Sequence, residues 1–374
     1  MKKKLAFTIL MILCLLLVLP SCSTQKCKIA LITDVSNIDG NTVSRYAWEG
    51  AVAYAEKYNV SCGYYKPSKA DRSALEDSVI KAVSGGAEII ILPGKMFETV
   101  AYEMQKKYQG VHFILLDGEC RSDTGERSIA SNTACAVFEE KDAGFAAGYS
   151  IVHGVYNRDK MTAAIGFIGE SEDCCAGFLQ GADKAAGEIG LIVNYEVCFI
   201  SDRDGNETIK TKAAKMYEDG IDVILAEGDG TLKPVSDAAK EKNGKLAGAY
   251  TDKRYYSERV VTSAVKNYAY VTNKLITAFY EDRFAEYSGK TTVYGKENGG
   301  TGIPVTVNSD SNGNAFDRLN GFDLADYRAF SEKMASGVYG IANGSGINRT
   351  DADISALLGL KNSVYGFPVG QTDE

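Results

Sequence analysis

The stretch Lys28-Ile29-Ala30-Leu31-Ile32-Thr33-Asp34 decides the fold class of this chain. Its uninterrupted apolar run is typical of a strand buried on both faces, and Asp34 stands at the carboxyl end of that strand. A polar turn over residues 35–42 follows, in which Asn41 or Thr42 is a suitable helix N-cap. Small and aromatic residues then recur at helical spacing through residues 47–58. A strand, a turn and a helix in this order predict the first unit of a parallel α/β sheet.

The same alternation of strand and helix repeats along the chain. It predicts strands at 60–65, 88–93, 112–117 and 130–137 and helices at 74–85, 97–108 and 143–156. A second series predicts strands at 162–169, 191–200, 222–226 and 245–250 and helices at 177–187, 207–219 and 235–243. Residues 260–280 read as a strand and a long helix, 286–317 as hairpins and loops, and 322–336 as a short helix.

Two successive series of this kind predict two doubly wound lobes. Chains of this kind pass between lobes more than once, so late segments are expected to rejoin the first lobe. We expect the first lobe to contain residues 28–140 and about 250–285. The second lobe is expected to contain residues 141–249 and about 286–345, followed by a C-terminal tail at 346–374.

The N-terminus has the pattern of an export signal. Three lysines at positions 2–4 precede an apolar run at residues 5–19. This run is shorter than the roughly 20 apolar residues that a transmembrane helix needs. The run ends in Leu19-Pro20-Ser21-Cys22, which looks like a lipobox whose cysteine receives a lipid. The alternative is an ordinary secretory signal with an incidental cysteine. We therefore predict a signal peptide at 1–21, a lipidated tether at 22–27, and attachment to the outer face of the cell membrane.

Composition excludes several classes of function. The net charge of −8 and the isoelectric point near 5.1 argue against a nucleic-acid partner. Nine cysteines are present, but Cys-x-x-Cys is absent and there are two histidines, so no metal site or cofactor is predicted. Mostly buried or free thiols are expected, and one bridge between Cys120 and Cys135 is an alternative.

Polar residues at the carboxyl ends of the predicted strands mark the candidate site, because open parallel sheets bind ligands there. They are Asp34, Lys95, Asp117, Glu227, Asp229, Tyr250 and Asp252. Gly228 lies between Glu227 and Asp229. Carboxylates in one cleft suit the capture of ligand hydroxyls, such as those of a sugar. The motifs of serine hydrolases, zinc proteases and P-loop proteins are absent from the sequence. A binding protein is therefore predicted, and not an enzyme.

Several segments together resemble the basic membrane protein family of substrate-binding lipoproteins, the purine-nucleoside receptors of ABC importers. They are Ile32-Thr33-Asp34, Ala47-Trp48-Glu49-Gly50, Leu116-Asp117-Gly118, residues 138–148, 165–169 and 220–224, Thr262-Ser263-Ala264-Val265-Lys266, and Phe322-Asp323-Leu324-Ala325-Asp326-Tyr327. The resemblance implies a type I periplasmic-binding-protein fold, in which two Rossmann-like lobes enclose a ligand cleft. It implies ligand contacts from Asp34, Asp117 and Lys266, and a loop over the base at residues 39–44.

The chain departs from the family pattern where the ligand base would stack. The stretch Gly40-Asn41-Thr42-Val43-Ser44-Arg45 lacks the usual phenylalanine, and Tyr250 replaces an aspartate. Tyr46, Phe97 or Tyr250 would have to supply the stacking ring. The ligand-binding residues predicted on this basis are Asp34, Asn41, Val43, Ser44, Phe97, Asp117, Glu227, Gly228, Asp229, Tyr250, Asp252 and Lys266.

The resemblance also predicts the function. We expect a solute receptor that binds a nucleoside or nucleoside-like molecule and delivers it to an ABC permease and its ATPase. Two alternatives remain. The same scaffold could bind another polar solute such as a sugar, or the protein could be a membrane-anchored sensor without transport.

Overall fold

The computed structural model describes residues 27–35, 38, 40, 42–156, 161–201, 203–228, 230–306, 313–348 and 353–366. The predicted signal peptide, Cys22 and most of the tether lie outside these residues. Within the described residues, no helix is both long and apolar enough to cross a membrane.

The first lobe is a six-stranded parallel sheet in the order β11-β5-β4-β3-β1-β2. Its strands are β1 (Ile29–Ile32), β2 (Cys62–Tyr65), β3 (Ile89–Pro93), β4 (His112–Leu116), β5 (Thr133–Phe138) and β11 (Lys290–Tyr294). Its helices are α1 (Val43–Tyr58), α2 (Arg72–Ser84), α3 (Glu98–Lys107) and α8 (Tyr268–Tyr280).

The second lobe is a seven-stranded sheet in the order β12-β10-β9-β8-β6-β7-β13, parallel except for the β10–β12 pair. Its strands are β6 (Thr162–Gly169), β7 (Ile192–Phe199), β8 (Val223–Ala226), β9 (Lys245–Tyr250), β10 (Val260–Lys266), β12 (Thr301–Gly302) and β13 (Ser363–Tyr365). Its helices are α4 (Glu140–Val155), α5 (Glu172–Ile189), α6 (Asn206–Glu218), α7 (Leu232–Lys242), α9 (Leu324–Ala335) and α10 (Ile354–Leu358).

Strand β1 shows why the opening stretch fixes this architecture. Ile29 and Leu31 pack in the core on one face of the first sheet, whereas Ala30 and Ile32 pack in the core on the other face. All four side chains are completely buried. A strand covered on both faces needs apolar residues at every position, which produces the unbroken run seen in the sequence. The predicted α/β fold with two doubly wound lobes is confirmed.

The chain crosses between the lobes three times, and two late segments lie elsewhere than expected. Strand β10 pairs with β9 in the second sheet, whereas the sequence pattern predicts residues 250–266 in the first lobe. Strand β11 pairs with β5 in the first sheet, whereas the sequence pattern predicts residues from 286 on in the second lobe. The exchange therefore occurs about 16 residues later than predicted, directly after Lys266. Both strands are apolar or Thr-rich, so their composition does not distinguish the two sheets.

Helices α4 and α5 pack at backbone contact through four glycines. A Cβ on Gly144 or Gly148 would lie 2.2 or 2.0 Å from a carbonyl oxygen of α5. A Cβ on Gly177 or Gly181 would lie 1.9 or 2.1 Å from a carbonyl oxygen of α4. Only glycine permits this approach, and it fixes the orientation of the first turn of α4, which contributes to the candidate site.

Part of the predicted C-terminal tail, residues 353–366, forms a short helix and a strand. Strand β13 pairs with β7, and Asp183 of α5 holds the approach to it. The Asp183 carboxylate accepts hydrogen bonds from the backbone N–H groups of Lys361 and Asn362 and from the Ser363 hydroxyl. Residues 353–366 are thus an integral edge of the second lobe.

Candidate functional site

Four neighbouring strands of the second sheet, β10, β9, β8 and β6, end in or just before polar residues. Lys266 ends β10, Tyr250 ends β9, Glu227 follows β8, and Ser171 follows β6 at the N-cap of α5. Because the strands are parallel, their carboxyl ends meet at one edge, which faces the crossings between the lobes. The following contacts join these residues into one hydrogen-bonded network.

Lys266 is the centre of the network and connects it to the first lobe. Its ammonium nitrogen lies 2.8 Å from Asp117 Oδ2, at the end of β4, and 2.8 Å from Glu140 Oε1, in the first turn of α4. The Tyr268 hydroxyl donates to the same Asp117 oxygen at 2.9 Å. The Lys266 side chain is 4% exposed, so this cation is held almost entirely by protein groups.

The electrostatics favour the charged forms of Lys266 and Glu140. Burial by itself lowers the pKa of Lys266, but Asp117 and Glu140 outweigh it and leave that pKa above its ordinary value. Burial likewise raises the pKa of Glu140, but the charge and hydrogen bond of Lys266, helped by Ser171, bring that pKa below its ordinary value. Ser171 Oγ donates to Glu140 Oε2 at 2.5 Å.

Glu227 is a buried carboxylate that the fold satisfies almost completely. Its Oε2 accepts the backbone N–H groups of Glu170 and Ser171 at 2.7 and 2.9 Å, and its Oε1 accepts the Tyr250 hydroxyl. These donors include the N-cap of α5, where a helix favours negative charge. Burial raises the pKa of Tyr250 well above its ordinary value, and the negative charge of Glu227 is the second cause of this shift.

Tyr250 adopts an unusual backbone conformation at this point. Its φ of 69° lies in the left-handed region, which a bulky side chain rarely adopts, and Asp117 has a φ of 58°. The Lys266 ammonium lies 4.6 Å from the centre of the Tyr250 ring, within the range of a cation–π contact. Two left-handed residues thus flank the central lysine, one from each lobe. Such strain persists where the surrounding structure determines it and is common at binding sites.

The network carries an excess of negative charge. Asp117, Glu140 and Glu227 bring three negative charges against the one positive charge of Lys266, a balance of −2. The donors of Lys266, Tyr268 and Tyr250 are directed at these carboxylates. Glu227 is buried and both of its oxygens accept hydrogen bonds, so what the network can offer a ligand is carboxylate oxygen of the partly exposed Asp117 and Glu140, which binds hydroxyl or amine donors.

A cavity of ≈ 440 Å³ lies beside Lys266 and is lined from both lobes. Arg45, Tyr46 and Glu49 of α1 form one wall, and the opposite lobe contributes Thr251, Asp252, Tyr255 and residues 303–306. The Tyr46 hydroxyl donates across this space to the Asp252 carbonyl oxygen at 3.4 Å. The cavity volume of ≈ 440 Å³ is within the range of small-molecule pockets.

The predicted site residues fall into groups. Asp117, Glu227, Tyr250 and Lys266 are joined in the network described above. Gly228, with a φ of 103°, directly follows Glu227. At the end of β1, the backbone N–H of Asp34 donates to the hydroxyl of the buried Ser44 at 3.3 Å, and Val43 begins α1 beside it. Asn41 and Asp229 lie outside the described residues.

Two predicted residues have other roles in this structure. Phe97 is completely buried in the core of the first lobe, against α2 and α3, so its ring cannot stack on a ligand. The Asp252 carboxylate is held by the guanidinium of Arg254, with contacts of 3.0, 3.1 and 2.7 Å, and both side chains are buried. Because the Asp252 carboxylate pairs with Arg254, two residues further along the chain, it does not join the network.

Three members of the network were not predicted. Glu140, Ser171 and Tyr268 lie after β5, β6 and β10, at positions equivalent to those of the predicted residues. Glu140 lies in segment 138–148, which resembles the basic membrane protein family. This resemblance is the signal in the sequence that points to Glu140. Among the described residues, no group of His, Cys, Asp and Glu side chains is arranged to hold a metal ion.

The family comparison gives a match over most of the chain. A family model described as "ABC transporter substrate-binding protein PnrA-like" matches residues 26–324. Basic membrane protein B of Borreliella burgdorferi is 25% identical over 299 residues, 75% of this chain and 82% of that protein. Basic membrane protein D of the same species is 25% identical, and the match covers 61% of this chain and 65% of that relative, just under two thirds.

Solved structures show the same fold at low identity. A solute-binding protein of an ABC transporter system from Conexibacter woesei matches with a TM-score of 0.62 and 16% identity, covering 85% of this chain and 99% of the other. A solute-binding protein of the same class from Aeropyrum pernix matches with a TM-score of 0.59 and 18% identity, covering 83% and 92%. These likenesses concern the two-lobed architecture.

Proposed function

The chain belongs to the family of PnrA-like ABC transporter substrate-binding proteins, and from this premise we propose that it captures a nucleoside or nucleoside-like polar solute between its lobes. Members of this family bind substrates and are not enzymes, which agrees with the prediction from the sequence. The solute is delivered to an ABC permease and its ATPase.

The observation that carries the proposal is the position of Lys266. It is the last residue of β10, directly before the chain crosses to the first lobe, and it binds Asp117 of that lobe and Glu140 of α4. A solute bound between the lobes would contact groups whose geometry depends on how the lobes meet. The network therefore offers both the ligand contacts and the connection to lobe closure.

The charge of the network defines the chemical class of the solute. Carboxylate oxygens accept hydrogen bonds, so they favour a solute with several hydroxyl or amine donors, such as the ribose of a nucleoside. An anionic solute would meet the net charge of −2, and its repulsion is weakly screened in a partly buried cleft. We therefore propose a neutral or cationic solute and expect nucleotides and sugar phosphates to bind poorly.

If the solute has a base, one of the three rings predicted from the sequence to stack on it remains a candidate, in addition to Tyr255 and Tyr270, which also line the cavity. Val43 occupies the place of the family's phenylalanine, Phe97 is buried in the core, and Tyr250 is held by Glu227. Tyr46 remains, because it is half-buried and lines the cavity beside Lys266. Stacking on a base contributes about 1–3 kcal/mol per ring. Because the family's phenylalanine and its stacking energy are absent, a second candidate is favoured, a sugar or another small polyol without a base.

Attachment to the membrane is part of the proposal. The lipobox-like sequence ending in Cys22 would place a lipid on the mature N-terminus and hold the receptor at the outer face of the membrane. Replacing Cys22 by serine should release the protein from the membrane fraction of an expressing bacterium. A variant that stays in the membrane fraction would contradict lipid attachment at this residue.

Isothermal titration with purine and pyrimidine nucleosides and with free pentoses tests the ligand. Binding of a nucleoside tighter than about 1 mM supports the first candidate, and binding of a free sugar alone supports the second. Asp117→Asn should weaken binding at least about 10-fold because it removes one acceptor charge of the network. Asp237→Asn, at an exposed ion pair on α7, is the matched control and should leave affinity unchanged.

A further inference from the structure

Two buried cysteines lie in contact close to the site. The sulfur atoms of Cys120 and Cys135 are 3.7 Å apart, and the residues are 0% and 1% exposed. Both thiols are free in this structure. Cys135 is in the middle of β5, between β4 and β11, and Cys120 belongs to the segment that follows Asp117 at the end of β4.

The segment that carries Cys120 is fixed on both sides of the cysteine. The backbone N–H groups of Glu119 and Arg121 donate to Glu98 of α3, at 2.9 and 3.4 Å. Further along, the Gln105 side chain binds the backbone of Ser128 and Ala130, at 2.7 and 2.8 Å. The two sulfurs are therefore brought together by ordered backbone on each side, and not by one mobile side chain.

A disulfide requires the two sulfurs to approach to about 2.05 Å. From 3.7 Å, the remaining approach is within the reach of side-chain rotation with small backbone adjustment. The two cysteines are 15 residues apart in sequence, so a bond between them closes a defined loop over the first sheet. Cys174 and Cys175 are adjacent in α5, where a mutual disulfide would disrupt the helix.

We propose that Cys120 and Cys135 are a cross-linking site that forms an intramolecular disulfide by exchange with a small-molecule disulfide. One cysteine, as thiolate, attacks the small disulfide, which gives a mixed disulfide and releases one small thiol. The second cysteine, also as thiolate, then attacks the protein sulfur of the mixed disulfide and releases the second small thiol. Two protein thiols are oxidised, one small disulfide is reduced, and both thiol protons pass to the released thiolates. An exported protein meets such oxidants.

Burial determines when the exchange occurs. A small disulfide cannot reach either sulfur in the folded state, because both residues are buried. The hydrogen bond between the two sulfurs, followed by the loss of water, raises the pKa of Cys120, and the same hydrogen bond lowers the pKa of Cys135, so Cys135 is the more acidic thiol of the pair. The cross-link therefore forms during folding or through opening of residues 118–132, and it resists small reductants once formed.

The cross-link has a direct effect on the site segment. Cys120 is three residues after Asp117, the first-lobe partner of Lys266, so a bond to β5 restrains the segment that presents this carboxylate. Amide hydrogen exchange at residues 118–132 should be slower in the oxidised protein. The midpoint of thermal unfolding should rise by roughly 3 to 5 °C, the effect expected for a loop of this length in a chain of this size.

Refolding of the full chain in a glutathione redox buffer and, separately, with a phosphine reductant tests the proposal. Free thiols are then alkylated in denaturant, and non-reduced peptides are mapped by mass spectrometry. The expected result is one cross-linked peptide pair containing Cys120 and Cys135 in the oxidised sample. It should be absent from Cys135→Ser and retained in Cys198→Ser, the matched control at a half-buried cysteine.

Two outcomes would overturn the proposal. In the first, Cys120 and Cys135 are fully alkylated after oxidative refolding while the chain is folded by circular dichroism. In the second, the cross-link joins one of them to another cysteine, such as Cys27 or Cys62. The peptide map of the unmodified chain decides the question even if the serine variant fails to fold. Formation of the cross-link rests on the proposed export of the chain and not on the identity of the solute.

Discussion

Replacing Lys266 by methionine would remove the cation at the centre of the network and keep a similar side-chain length. Asp117 and Glu140 each lie 2.8 Å from its nitrogen. At an effective dielectric constant near 20, each contact has a gross Coulomb energy of about 4–6 kcal/mol, most of which is offset by desolvation. Removing one partner of a buried pair costs about 3–5 kcal/mol. Because the two carboxylates are 21% and 29% exposed, we expect a loss near the lower limit, about 3 kcal/mol.

The pH dependence of this loss has a defined sign. The pKa of Glu140 is lowered in the folded state, so its contribution is present above the unfolded pKa of about 4.3 and is lost as pH falls through the folded pKa. The pKa of Lys266 is raised, so its contribution is present below about 10.4 and is lost as pH rises through the folded pKa. The difference between the wild type and the variant should be constant from about pH 5 to 10 and shrink progressively below about pH 4.

Urea denaturation at pH 7 and pH 3, followed by far-UV circular dichroism, measures this difference. Lys233→Met is the matched control, since Lys233 pairs with Asp237 on an exposed helix face, and its denaturation midpoint should not change. A loss below about 1 kcal/mol for Lys266→Met at pH 7 would refute the argument. A loss that is equally large at pH 3 would show that the lysine acts through packing and not through its charge.

Further predictions concern three other contacts. Tyr250→Phe removes the hydroxyl donor of the buried Glu227 and should reduce the free energy of unfolding by about 1–3 kcal/mol; an unchanged urea midpoint would contradict the pairing. Gly148→Ala places a methyl group 2.0 Å from a carbonyl oxygen of α5 and should cost at least about 2 kcal/mol, whereas Gly110→Ala, in open space, should change stability by less than about 0.5 kcal/mol. Asp183→Ala should speed amide hydrogen exchange at residues 361–365 at least about 10-fold, and equal exchange in both proteins would show that β13 is held by other contacts.

The fold was largely predictable because burial on both faces leaves a clear trace in sequence. Strands such as Ile29–Ile32 and Ile89–Pro93 are apolar at every position, and the helices between them show helical spacing. The point of exchange between the lobes was not predictable in this way. Strands β10 and β11 differ in which sheet they join, and that choice depends on packing partners far away in sequence.

The candidate site was partly predictable from strand ends. Asp117, Glu227, Tyr250 and Lys266 meet because the carboxyl ends of parallel strands share one edge. Glu140 was missed because it begins a helix after the chain has left the sheet, where an acidic residue is a common feature of a first turn. The burial of Phe97 depends on the tertiary packing of α2 and α3, which a local pattern does not specify.

The most direct test of the central claim is the difference in affinity between a neutral solute and its phosphorylated counterpart. Isothermal titration at low ionic strength compares each nucleoside with its 5′-monophosphate, and each pentose with its 5-phosphate. The cleft beside the network of Asp117, Glu140, Glu227 and Lys266, whose charges sum to −2, should bind at least one neutral member tighter than about 1 mM and its phosphate at least about 30-fold more weakly. Equal or tighter binding of the phosphorylated member, or no binding of any neutral member, would contradict the account.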